Sequence, residues 1–258
     1  MKFKSLSVIL PTLRETDSFL KTVHLITDTC QHDDIEEIIV VVCDATTKEA
    51  MEYIKQGEEY SKKCGITYHI LHQKRPYLGG AMIDGFEAAN GSHVIMETPD
   101  LSTAPEELPK LISLAKEYPN DIISCSRWVK GSGFENYPKF KKAWNYLSQK
   151  FLQILYFTNV SDFTWGAHLG PTVLFRSLNY KELKHPITVE EVVIPLRLGV
   201  RFHEISGTCH IDENDISVNP LWANLVYLRP AFRWRFSKKQ NLLRENLNQE
   251  NIMNTIRN

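Results

Sequence analysis

The sequence predicts an α/β fold: a mainly parallel sheet flanked by helices. Three observations predict it. Short apolar runs alternate with segments of helical spacing through the first half of the chain. One of these runs, IIVVVC at 38–43, is almost wholly β-branched, the pattern of a parallel strand covered on both faces. The chain has 258 residues, 43% hydrophobic and 24% charged, so it can bury one large core without disulfides or structural metals.

The elements follow in order. Residues 6–10 form an apolar run ended by Pro11, a first buried strand. Phe19, Leu20, Val23 and Ile26 set a helix over 19–29. After the strand at 38–43 come a helix over 48–64 and a third strand at 67–71. Gly79-Gly80 opens a helix through Ala89, with Asn90-Gly91 as its C-cap. Residues 93–96 make a fourth strand, 105–118 a helix with proline near its start, and 122–126 a fifth strand. The second half is less regular, with amphipathic helices over 139–155 and 189–198 and a polar, frayed end. Ligands of such sheets bind beyond the carboxyl ends of the strands. The loops after Leu10, Cys43, Leu71, Met96 and Ser126 are therefore the ones to examine.

The net charge is −1, which supplies no global field toward nucleic acid. The five cysteines, Cys30, Cys43, Cys64, Cys125 and Cys209, are scattered and contain no CxxC pair, so reduced thiols are expected rather than a zinc site or a disulfide framework. The opening MKFKSLSVILP is too short in apolar residues for a signal peptide. No run approaches the roughly 20 apolar residues of a membrane span. The expectation is a cytoplasmic chain, able to lie peripherally on a membrane face.

Candidate chemistry lies in the loops. Asp44, after the second strand, can accept hydrogen bonds from a nucleobase or ribose, or serve as a helix N-cap. In RPYLGGA, paired glycines at a helix start let backbone N–H groups approach an anion, and Arg75 can add charge. In HVIMETPDL, acids directly follow a buried strand, where a carboxylate can hold Mg²⁺ or Mn²⁺ against a diphosphate.

Taken together, VILPTLRE, IIVVVCDAT, the GGAMIDGFEAANGSHVIMETPDLSTAPEE stretch, SRWVKGSG and VSDFTWGAHLGPTVLF resemble family 2 glycosyltransferases with the A-type fold. Among these the dolichyl- and polyprenyl-phosphate mannose and glucose synthases are most similar. The resemblance implies a nucleotide-diphosphate sugar donor, a divalent metal, and inverting transfer to a lipid-phosphate or saccharide acceptor. It implies that Pro11, Glu15 and Asp44 hold the nucleoside and that Gly79 and Gly80 lie beneath the donor. Asp100 matches the last acid of the DxD metal motif, Arg127 the SR arginine that touches phosphate, and Asp162 and Thr164 the acceptor segment SDxTSG. If the acceptor is a sugar hydroxyl, Asp162 or Glu190 is the candidate base. The domain implied covers 1–217, followed by a helical extension over 218–258.

Two departures stand out. Thr98 occupies the place of the first DxD acid and offers only a hydroxyl to metal, while Glu97 is one residue early and on the other face of a continuing strand. Near the end of the matched region, residues 210–217 are acidic where the family carries basic residues. The stretch 221–239 carries Arg229, Arg233, Arg235, Lys238 and Lys239 among Trp222, Tyr227, Phe232, Trp234 and Phe236, with no acid. It suits a membrane interface, or a helix packing its aromatics on the domain. The rival functional class is a non-catalytic binder of nucleotide sugar. A nucleotidyltransferase is a second rival, opposed by Pro11-Thr12-Leu13-Arg14-Glu15 where a Gly-rich basic signature belongs.

Overall fold

Each apolar run of the first half becomes a strand, and each is returned to the sheet by a helix. The order is β1 (Leu6–Pro11), α1 (Asp17–Thr29), β2 (Ile35–Val42), α2 (Lys48–Lys63), β3 (Thr67–His72), α3 (Tyr77–Ala88), β4 (His93–Met96), α4 (Leu108–Glu117) and β5 (Ile122–Ser126). There follow β6 (Gly133–Glu135), α5 (Lys139–Tyr156), β7 (His168–Pro171), α6 (Thr172–Ser177), α7 (Ile187–Leu198), β8 (Phe202–Ser206), β9 (Thr208–His210), α8 (Leu228–Phe236) and α9 (Gln249–Arg257). This computed structural model describes residues 1–103, 105–135, 137–165, 167–210, 225–245, 247 and 249–257.

The main sheet has seven strands in the order β3-β2-β1-β4-β7-β5-β8, and only β7 runs antiparallel to its neighbours. β1 pairs with β2 on one side and β4 on the other, so the winding reverses beside β1. That switch point is where α/β sheets open a ligand crevice. Strand side chains alternate between two cores. Ile9, Ile39, Val41, Val94 and Met96 face α3, α6 and α7. Val8, Leu10, Ile38, Val40 and Ile95 face α1, α2 and α4. Burying each such side chain is worth about 1.5–3 kcal/mol, and the double coverage explains why β2 reads as an unbroken apolar run.

Three expectations change here. Asn90-Gly91 is not a left-handed C-cap: Ala89 ends α3 in extended geometry. Gly91 is needed for closeness, since a Cβ there would meet the Ser7 nitrogen at 2.7 Å. The polar end is not frayed over its whole length, because α9 buries Met253 and Ile256. The helix expected over 189–198 starts two residues earlier, at Ile187. The C-terminal stretch joins the main core through Ala231, Trp234, Leu242 and Leu243. The boundary expected at 217/218 and the acids of 212–215 lie outside the described residues.

Candidate active site

The loops named from the sequence gather along the carboxyl edge of the sheet. Backbone bonds tie the first three together: Thr12 N donates to Val41 O, Thr47 N to Leu13 O, and Gln73 N to Val42 O, each at 2.9 Å. Asp44 sits on this platform with its carboxylate fully exposed, 3.2 Å from His72 Nε2. It is not a helix cap, because Thr47 caps α2 by accepting from Ala50 N. Glu15 turns inward, and its Oε2 accepts from Leu13 N and Arg14 N at 2.7 and 2.9 Å. That bracing shapes the loop after β1, in which Pro11 is half-buried.

The Gly-Gly turn differs from expectation in its working parts. Gly79 N–H donates to Leu183 O at 2.8 Å, so it is not offered to an anion. A Cβ on Gly79 would lie 2.7 Å from the Leu183 backbone, and one on Gly80 would collide with the Arg75 carbonyl. Gly79 therefore admits the 182–185 loop against the start of α3, and Gly80 admits the backbone of Arg75. Arg75 does not reach toward an anion either. Its guanidinium pairs with Asp84 and, through both terminal nitrogens, with Glu87 at 2.9 Å. Two carboxylates one helical turn apart on α3 outbid any single ligand for it.

The acidic loop after β4 separates its three candidates. Asp100 is exposed, with Oδ1 accepting from Ser102 N at 2.9 Å. Thr98 is already engaged within the loop: its hydroxyl lies 2.9 Å from Ser102 Oγ and 3.1 Å from Thr103 Oγ1. Glu97 is wholly buried and accepts from Thr103 Oγ1 at 2.5 Å, while its Oε1 has no partner. Burial pushes its carboxyl up to about 8, with the Thr103 hydrogen bond opposing. His185, before α7, lies within electrostatic reach of Asp100. Among the described residues no group of three or more His, Cys, Asp or Glu could hold a metal. The donor set fits a hard divalent ion only where Asp100 is joined by substrate phosphates and water, the usual arrangement for Mg²⁺.

Arg127, Asp162 and Thr164 come together as a buried unit. Arg127 Nε and Nη2 meet Asp162 Oδ2 and Oδ1 at 2.7 and 2.8 Å, and Nη2 also meets Thr164 Oγ1 at 3.0 Å. Burial opposes the guanidinium charge, yet the Asp162 carboxylate outweighs it and the pKa is raised. With both oxygens taken by Arg127, Asp162 is poorly placed as a base. Glu190 is committed too, accepting from Lys181 N, Glu182 N and Trp234 Nε1 at 2.8, 2.9 and 2.7 Å.

Sequence reasoning missed Trp165. Its indole N–H donates to Ser102 O at 3.0 Å, and its ring lies 5.6 Å from the Arg127 guanidinium. It links the Asp100 loop to the Arg127 unit. The signal was present: a tryptophan stands in SDFTWG where SDxTSG has serine. His72 and His185 carried no comparable signal, since they meet carboxylates only through the fold.

A mostly parallel sheet, a switch point beside β1, and carboxylates at its mouth define an A-type glycosyltransferase fold. The comparisons agree. Residues 7–178 match the description "Glycosyl transferase family 2", and the chain belongs to that family. A dolichol-phosphate mannosyltransferase of Pyrococcus furiosus is 35% identical over 136 residues, covering 53% of this chain and 37% of that protein. The undecaprenyl-phosphate mannosyltransferase of Micrococcus luteus is 28% identical over 209 residues, 78% of this chain and 81% of that one. The chain thus spans little more than a third of the first relative and four fifths of the second. Glucosyl-3-phosphoglycerate synthase of Mycobacterium tuberculosis, solved with Mn²⁺, uridine diphosphate and phosphoglyceric acid, superposes with a TM-score of 0.66 at 14% identity, covering 91% of this chain and 80% of that one. That likeness speaks for the fold alone. Among the described residues no helix is long and apolar enough to cross a membrane.

Proposed function

We propose that this chain transfers a sugar, with inversion, from a nucleotide-diphosphate sugar to a polyprenyl phosphate at the cytoplasmic face of a membrane. The observation that carries the reading is the pair of exposed carboxylates, Asp44 and Asp100, on the loops after β2 and β4, the two strands that flank β1. Asp44, steadied by His72, receives the nucleoside. Asp100 faces the diphosphate, and a Mg²⁺ or Mn²⁺ ion held there supplies neutralisation of its negative charge. The 182–185 loop, admitted by Gly79, closes the floor beneath it. Arg127 and Asp162 position the acceptor side by locking the loops that carry them. Among the described residues no free base lies beside Arg127, and an ionised lipid phosphate, already a nucleophile, needs none, which suits this acceptor better than a sugar hydroxyl. The named relatives that act on dolichol or undecaprenyl phosphate support the same choice.

The test incubates the protein with uridine- and guanosine-diphosphate sugars, polyprenyl phosphate and Mn²⁺. Release of nucleoside diphosphate with formation of a glycolipid is expected, and Asp100→Asn abolishes it. Tight nucleotide-sugar binding without turnover would instead establish the non-catalytic reading, which the Thr98 substitution favours. Release of pyrophosphate would mark a nucleotidyltransferase.

A further inference from the structure

Helix α5 has an unusual outer face. Phe140, Trp144, Leu147, Phe151 and Ile154 recur at alternating intervals of four and three, so they form one stripe along the helix. The stripe is exposed: Phe140 is 65%, Leu147 60% and Ile154 71% accessible. Helix α8 extends it. Phe232 stands 5.8 Å from Phe151, and Phe236 stacks 6.5 Å beyond Phe232. Between the two helices lies an apolar cleft lined by Trp144, Leu147, Phe151, Leu225 and Leu228. A continuous apolar patch of this kind marks an interaction surface.

Its charge identifies the partner. α5 carries Lys139, Lys141, Lys142 and Lys150 and no acid. Residues 225–239 add Arg229, Arg233, Arg235, Lys238 and Lys239, again without an acid. Arg233 is spent on Glu182 and Glu190, inside the fold. Arg229 also faces Glu182, at 3.9 Å, and Lys142 turns to the inner side of α5 over the Phe134 ring. Lys139 and Lys150 flank the stripe by helical position, on a chain whose net charge is −1. The Arg235 guanidinium lies over the Phe157 and Tyr156 rings, at 5.3 and 5.9 Å, so a cation rests directly on aromatic surface at this end of the stripe. Aromatic side chains rimmed by long cations fit the headgroup zone of an anionic bilayer.

We infer that the joint face of α5 and α8 seats the protein on an anionic bilayer surface. This deepens the lipid-acceptor reading and rests on it only for its consequence. The inner face of α5 reaches the Arg127 unit: Gln149 Nε2 donates to Thr164 Oγ1, and Phe163 N donates to Gln149 Oε1, both at 2.9 Å. Lys142 lies over the Phe134 ring at 4.5 Å, and Arg127 lies 5.6 Å from that ring. One helix thickness, about 10 Å, then separates the lipid face from the acceptor side. A lipid phosphate can come up to the acceptor side while its chain stays in the membrane.

The test is flotation of the full chain with phosphatidylcholine vesicles, with and without phosphatidylglycerol. Wild type floats about tenfold better with the anionic lipid at low salt, and loses that preference at high salt. Phe140→Ser, Leu147→Ser and Ile154→Ser together abolish flotation on both. Lys139→Gln, Lys150→Gln and Arg235→Gln together remove only the anionic preference. Flotation of the serine variant equal to wild type, or no flotation of wild type, overturns the inference. So does a wild-type dimer in light scattering that the serine variant turns into monomer, because the stripe then covers a second copy. A thermal-shift arm with uridine or guanosine diphosphate and Mn²⁺ separates the two readings. A shift retained without flotation sinks only the docking surface, and flotation without a shift sinks only the proposed transfer.

Discussion

The proposed donor and acceptor sides of the crevice handle charge in opposite ways. On the donor side Asp44 and Asp100 stand exposed, each with capacity left for a ligand. On the acceptor side Asp162 and Arg127 are almost wholly buried and bound to each other in a two-point pair. Solvated carboxylates lose little stability by being left open, whereas a buried charge must be matched. Glu97 shows a third arrangement, directly beneath the donor loop: burial there is met by keeping the proton. The difference separates groups available to bind from groups that hold the frame.

Removing one member of the buried pair is the strongest way to break that comparison. Asp162→Ala strands the Arg127 charge and costs about 3–5 kcal/mol of stability. Calorimetric melting checks it, and adding Arg127→Met to the same protein restores part of the loss. A small effect of the single change would mean that Asp162 is not a structural partner.

The pH dependence of stability sharpens the contrast next. Between pH 4.5 and about 8 folded Glu97 holds a proton that the unfolded chain releases, so its contribution is complete below 4.5 and is lost as pH rises through about 8. His93 works in the opposite direction. Burial depresses it to about 4 from 6.5, so stability falls as pH drops through that window. Denaturant titrations from pH 5 to pH 9 should show Glu97→Gln removing a loss, on the order of several kcal/mol, that accumulates up to about pH 8 and then levels off. An unchanged slope across that window assigns it to other groups.

Gly80→Ala forces a Cβ into the Arg75 carbonyl and should cost roughly 2 kcal/mol, with Gly79→Ala close behind. Urea midpoints measure both. Equal stability of Gly79→Ala would show that the 182–185 loop, the floor of the proposed donor site, gives way, and equal stability of Gly80→Ala that the Arg75 turn does.

Asp44→Ala carries the smallest effect on the fold and a selective one on binding. Its melting point should match wild type, while nucleoside-diphosphate affinity falls roughly tenfold in calorimetry, in line with a lost charged hydrogen bond. Unaltered affinity would remove Asp44 from the nucleoside site.

Local pattern alone was enough to determine the strands and helices through Ser126, because double burial of parallel strands and helical periodicity are written in neighbouring residues. It also placed Asp44, Asp100 and Arg127 in loops at the carboxyl edge, since strand ends determine where those loops emerge, whereas Asp162 and Thr164 were picked out only by the resemblance of their segment to SDxTSG. Pattern failed at β7, whose four residues include a glycine and a proline and whose strand geometry comes from its neighbours β4 and β5. Which charged groups remain free was decided only by tertiary structure. Arg75 is captured by Asp84 and Glu87, Thr98 by Ser102 and Thr103, and Asp162 by a guanidinium 35 positions away. A side chain's residue type states what it can bind, but its partner depends on which distant groups the folded sheet brings within about 3 Å.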